Sequence, residues 1–98
     1  MVYIVCLEIR SGAAVRDRVV AAVKTLGHWA GRFPDMLLLH PHQPLSAEQI
    51  RDQLQPFLVE PDAVFVARLA ENWAGHGLGP GFQGWMGRRD FGLDTDPE

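Results

Sequence analysis

Residues 2–9 read Val-Tyr-Ile-Val-Cys-Leu-Glu-Ile, an almost unbroken apolar run rich in β-branched and aromatic side chains. Such a run marks a strand covered on both faces, because a strand with one wet face alternates apolar with polar. Tyr3, Val5, Leu7 and Ile9 project to one side; Val2, Ile4, Cys6 and Glu8 project to the other. Glu8 closes the less uniformly apolar face.

The rest of the chain supplies partners for this strand. Ser11-Gly12 ends it, and Val15, Val19, Val23 and Leu26 then recur at helical spacing, which predicts a helix over 13–26. Gly27 stands where a helix C-terminus commonly places glycine. Residues 28–33 and 36–40 read as two short strands joined at Pro34-Asp35, a hairpin. Ser46 with Gln49 three positions on is a capping box. It opens a second helix whose apolar face is Ile50, Leu54 and Phe57, and Pro56 ends or distorts it. Glu60-Pro61-Asp62 is a turn, and residues 63–69 form a last strand. The order is β-α-β-β-α-β, a ferredoxin-like α+β sandwich with both helices on one sheet face. The other face is left for a partner or for the remainder of the chain. The first and third strands are expected to lie side by side and parallel, which would bring His40 near Glu8.

Beyond residue 72 the chain changes character. Gly75, Gly77, Gly79 and Gly81 alternate, and Trp73, Phe82, Trp85 and Phe91 are set among them. Aromatic residues on a glycine-rich extension imply packing onto something. The three expected segments are therefore a domain over 1–72, an extension over 73–91 docked on the sheet or on a dimer partner, and an acidic tail over 92–98 read as disordered. Trp73, Trp85 and Phe91 are the candidate interface residues.

Composition narrows the function classes. The chain has 98 residues, 47% hydrophobic and 21% charged, with a formal net charge of −3. That balance argues against a strongly basic, nonspecific nucleic-acid binder. The single cysteine, Cys6, excludes an internal disulfide and a Cys-rich zinc module. No secretory signal or apolar run of membrane-spanning length is present, so the expected compartment is the cytoplasm. Gly79 to Gly84 matches G-x-G-x-x-G literally but lacks the strand, helix and downstream acid that a dinucleotide site needs.

Four groups of residues bear chemistry. Glu8 is the candidate catalytic acid and metal ligand, holding a divalent ion such as Mg²⁺ or Mn²⁺ that activates water; the plainer reading is a solvated or Arg-paired strand-end acid. His40, in His40-Pro41-His42, is the second candidate metal ligand, against the plain reading of polar loop. His28, Trp29 and Arg32 alternate along a short strand, and an exposed aromatic beside a base can stack on nucleotides. Residues 10–32 carry Arg10, Arg16, Arg18, Lys24 and Arg32 against Asp17 alone, a local charge of +4 suited to phosphate. Arg10, Arg16, Trp29 and Arg32 are the candidate RNA or DNA contacts. On a helical wheel Arg16 and Arg18 flank the apolar stripe on opposite sides, so no single basic stripe forms.

Three stretches carry a family resemblance: Ala22-Val-Lys-Thr-Leu-Gly-His-Trp29, Leu45-Ser-Ala-Glu-Gln-Ile-Arg-Asp52 and Phe65-Val-Ala-Arg-Leu-Ala-Glu-Asn-Trp-Ala74. They resemble small bacterial SinR-like proteins, which in turn resemble the CRISPR-associated protein 2 family and VapD-type toxins. The resemblance spans roughly residues 3–86. It implies a ferredoxin-like homodimer joined through the sheets or a C-terminal strand. In the CRISPR-associated members an Asp at the end of the first strand binds metal for phosphodiester hydrolysis. The matching residue here is Glu8, in Leu7-Glu8-Ile9, one methylene longer than the family's Asp. The functional expectation is a homodimer that binds nucleic acid or cleaves phosphodiesters with a metal. The alternative is a noncatalytic module that assembles with a protein partner. A third class, a small-molecule enzyme or sensor, would need an apolar pocket with convergent polar groups, for which Tyr3, His28 and His40 are possible linings.

Overall fold

The computed structural model describes residues 1–89. The expectations for Phe91 and the acidic tail lie outside the described residues. Strands β1 (Val2–Glu8), β2 (Gly27–Phe33), β3 (Met36–Pro41) and β4 (Ala63–Leu69) form one sheet in the order β2-β3-β1-β4. Helices α1 (Ala13–Thr25), α2 (Ala47–Leu54) and α3 (Pro80–Gly87) complete an α+β architecture, with a 3₁₀ turn at Gln55–Phe57 after α2. No helix among the described residues is long and apolar enough to cross a membrane.

Every pairing in the sheet is antiparallel. This corrects the expected parallel pairing of the first and third strands. The α1 crossover returns the chain so that β2 runs with β1. The two-residue turn at Pro34-Asp35 then reverses it, so β3, inserted between them, opposes both. Tyr3 faces Leu39 and Cys6 faces Met36 in the register. His40 therefore lies level with Val2, at the end of the sheet opposite Glu8. Six residues of strand at ~3.3 Å each separate the two, about 20 Å.

The main core lies between the sheet and the first two helices. Tyr3, Val5 and Leu7 of β1, with Leu37 and Leu39 of β3, meet the Val15-Val19-Val23 stripe of α1 and Ile50 and Leu54 of α2. Val5, Val19, Val23, Leu39, Ile50 and Leu54 are completely buried. Each such side chain contributes about 1.5–3 kcal/mol of burial free energy before chain entropy is set against it. The Tyr3 hydroxyl, at the margin of this core, donates to the Leu45 carbonyl at 2.6 Å. The capping box forms as read: Ser46 Oγ accepts from the Gln49 N–H, and Gln49 Oε1 accepts from the Ser46 N–H.

Gly27 has a different role from the one expected. Leu26 caps α1 in a right-handed helical conformation, and Gly27 opens β2. A Cβ there would stand 2.1 Å from the His40 carbonyl oxygen. The glycine thus serves close approach of β2 to β3 rather than a left-handed helix end.

A helix that the glycine-rich run did not announce covers part of the second face of the sheet. In α3, Pro80 takes an early position where its missing N–H costs nothing. Met86 is buried with Val2 and Leu38, while Trp73, Phe82 and Trp85 pack around them against Ile4, Ala30, Met36 and Leu69. This cover reaches only part of the face.

Candidate functional site

Glu8 lies at the end of β1 that the β2–β3 turn shares. Its Oε2 accepts from Arg10 Nη2 at 2.7 Å, and both side chains are largely exposed. Beside them Asp62 is held as an acceptor clamp. Its carboxylate takes the Arg10 and Ser11 backbone N–H groups at 2.7 and 3.0 Å, the Val59 N–H at 3.0 Å and the Ser11 hydroxyl. Desolvation pushes the Asp62 pKa up. The hydrogen bonds from Ser11, Val59 and Arg10 outweigh it and bring the pKa down to about 2. Arg16 reaches the same end from α1, donating to Asp35 at 3.2 Å and to the Pro34 carbonyl.

Among the described residues, no ligand set for a divalent cation gathers around Glu8 within one chain. Its carboxylate is engaged by a guanidinium, Asp62 is committed to four donors, and His40 is about 20 Å away at the other end of the strands. Among the described residues no three His, Cys, Asp or Glu side chains are arranged to hold a metal ion. Mg²⁺ and Mn²⁺ require several oxygen ligands in near-octahedral array, which the described residues at this end do not present.

The candidate nucleic-acid residues do not share a surface. Arg10 and Arg16 each face a carboxylate at the Glu8 end. Arg32 sits on the α3 side of the sheet and donates to the Gly77 carbonyl at 3.1 Å. Trp29 is 42% exposed on the other side of β2, with Lys24 Nζ 4.1 Å from its ring centroid. Trp73 and Trp85 pack inside their own chain against the sheet, and Arg89 lies over the Trp85 ring at 4.6 Å.

A row of apolar side chains crosses the sheet that strand alternation in the sequence does not mark. The register shift between Ala30 and Phe33 turns Phe33 onto the face occupied by Met36. Met36 is opposite Cys6, and Cys6 is opposite Phe65. Phe33, Met36, Cys6 and Phe65 therefore form one line across all four strands on the α3 side, with Met36 at the margin of the α3 cover and Phe33 and Phe65 exposed at the two ends. Phe65 is 64% exposed and Phe33 46%, while Met36 and Cys6 are half-buried. Glu8 continues the same face two residues further along β1. A bulge is what sets this line, and alternation alone would have put Phe33 on the opposite face.

At the far end of the sheet, three imidazoles gather. His28 stacks with His40 at 6.1 Å between centroids and meets His42 edge-on at 5.2 Å. The His40 Nδ1 lies 2.9 Å from the Met1 carbonyl. Burial lowers the His40 pKa, the N-terminus, Arg89 and His28 add to that, and the Met1 hydrogen bond opposes it. Beside this cluster a cavity of about 840 Å³ opens toward the helix side of the sheet, between Tyr3, Arg68 and the segment from Pro41, at the end of β3, to Gln49, in the first turn of α2. Of the pocket linings considered from sequence, Tyr3 lines it, whereas His28 and His40 do not; His42 does.

Compared with protein-family models, curated proteins and solved structures, the chain matches none.

Proposed function

We propose that this protein is a noncatalytic assembly module that pairs with a second copy of itself through the uncovered part of its α3-side sheet face. The observation that carries the reading is the row Phe33-Met36-Cys6-Phe65, with two exposed phenylalanines in register across four strands. Exposed apolar side chains scattered singly need no explanation, but an aligned row does. The β-α-β-β-α-β order and the β2-β3-β1-β4 arrangement support a ferredoxin-like fold, and with it the fold implied by the SinR-like resemblance.

A second copy suits this face by shape. The helix α3 stands up from one half of it and leaves the row as a ledge on the other half. A two-fold axis running along the row lays row on row and sets the α3 of each copy above the Glu8 end of the other's face, an isologous and closed contact. An axis along the strands would stack the two α3 helices on one another. With the axis along the row, the two Glu8 positions fall on opposite sides of it, about 13 Å apart along the strand direction. They do not share one ion in that arrangement.

Cys6 supplies the test, being the only cysteine and a member of the row. Its alkylation rate should fall as protein concentration rises, and Phe65→Asp should abolish that protection. A rate independent of concentration would contradict the pairing. Cleavage of single- or double-stranded RNA or DNA in Mg²⁺ or Mn²⁺, present in wild type and lost in Glu8→Ala, would overturn the noncatalytic reading.

A further inference from the structure

We infer that the outer edge of β4 pairs antiparallel with the β4 of a second copy, joining two sheets edge to edge. This contact uses a different surface from the face pairing proposed above and does not depend on it.

Two strands end the sheet, β2 and β4. An edge strand turns the N–H and C=O of every second residue away from its one neighbour, which makes it a template for a further strand. Natural proteins blunt such edges with charge, proline, bulges or cover. β2 is blunted in several of these ways. It carries Gly31 and Arg32, its register with β3 shifts between Ala30 and Phe33, and Arg32 donates to the Gly77 carbonyl. β4 is built otherwise. It reads Ala63-Val-Phe-Val-Ala-Arg-Leu69, without proline, glycine or lysine. The whole strand pairs with β1 in one unbroken register, so no bulge bends it away. Among the described residues, no backbone–backbone bond outside the helices and the sheet involves residues 63–67.

The strand's own sequence selects the occupant. When β4 meets its copy with Phe65 opposite the partner's Phe65, Val64 stands opposite the partner's Val66 and Ala63 opposite the partner's Ala67. Every opposed pair over 63–67 is then apolar on both sides. Phe65 and the two alanines meet on the α3 side, and the valines meet on the helix side, where they already pack against the main core. Aromatic pairs directly across antiparallel strands are stabilising. The Phe65 pair also carries the row Phe33-Met36-Cys6-Phe65 without a break into the row of the second copy. Arg68 lies beyond the paired stretch, and the pairing asks nothing of it. The two-fold axis stands normal to the sheet at Phe65, so the contact is isologous and closed. The axis proposed for the face lies along the row, in the plane of the sheet, and neither contact blocks the other. A main-chain hydrogen bond gains little over its bonds to water, so edge pairing is the weaker contact and forms at higher concentration.

The test reads amide hydrogen exchange along β4 of the ¹⁵N-labelled full chain, from dilute to millimolar protein. Every second amide over 63–67 should slow about tenfold or more as concentration rises, while the alternate amides, already bonded to β1, stay as they are. Exchange that does not respond to concentration, whether fast throughout or slow throughout, overturns the inference. A second measurement reads the register. Val64→Cys and Val66→Cys are made in separate chains, each with Cys6→Ala, and mixed before oxidation with diamide. Opposed residues have Cα atoms about 4.5–5.5 Å apart, within reach of a disulfide, whereas each new cysteine and its own copy lie diagonally at about 7–8 Å. The mixture should cross-link and neither variant alone should. A mixture that stays unlinked, or single variants that link as readily, overturns the inference. Should the cysteine variants fail to fold, exchange in wild type decides alone. Phe65 belongs to both proposed contacts, but Val64 and Val66 face away from the face pairing, and Cys6 lies on β1 away from the edge. Cys6 protected at high concentration with β4 amides unprotected therefore overturns edge pairing and leaves the face pairing standing.

Discussion

Asp62 shows how much a single exposed carboxylate can organise. It ties the β4 entrance to Arg10 and Ser11, the segment between β1 and α1. Its folded pKa is about 2 against 3.8 for the free group. The unfolded chain therefore binds more protons in that interval, so stability is full above pH ~4 and is lost as pH falls toward 2. Asp62→Asn should lower the melting temperature at neutral pH and flatten its fall between pH 4 and 2, read by circular dichroism. The sign for His40 is set by burial first. Its lowered pKa means that the folded state favours neutral imidazole. Stability from this group is present above the unfolded value of 6.5 and declines as pH falls below it. His40→Gln should reduce the loss of melting temperature between pH 7 and 5. Gly27→Ala should cost about 2–3 kcal/mol in chemical denaturation, because the new methyl meets backbone rather than a yielding side chain.

Among the elements, those whose signals are local were readable in advance. The strand from Ala63 to Leu69, the Val15-Val19-Val23 stripe and the Ser46–Gln49 box appear where periodicity and capping chemistry put them. Ser46→Ala should cost about 1 kcal/mol of stability. Strand direction is not local, and the misplacement of His40 beside Glu8 came from that alone: periodicity tells which face a residue takes, not which way the strand runs. The α3 helix was hidden for another reason. Gly81, Gly84 and Gly87 depress its intrinsic propensity by up to about 1 kcal/mol each. Its stability comes instead from the tertiary burial of Met86, Phe82 and Trp85 on the sheet. Met86→Ala should accordingly destabilise the protein by about 2–5 kcal/mol, a value measurable by urea titration. The candidate site was legible only residue by residue. Glu8, Arg10 and Arg16 do cluster at one sheet end, but each arginine meets an acid there. The row Phe33-Met36-Cys6-Phe65 depends on a bulge and on long-range register, neither of which the sequence pattern carries.

At the scale of the molecule, the sheet has a helix-covered face with a complete core and a second face that α3 covers in part. The uncovered part holds the two most exposed phenylalanines among the described residues, Phe65 and Phe33. The proposed pairing with a second copy would cover the exposed phenylalanines and use the ledge beside α3. Sedimentation equilibrium of wild type and Phe65→Asp at neutral pH tests this most directly. Wild type should show a monomer–dimer equilibrium, and Phe65→Asp should be a folded monomer throughout. A wild type that stays monomeric to millimolar concentration, or a Phe65→Asp protein that dimerises as strongly as wild type, would contradict the account.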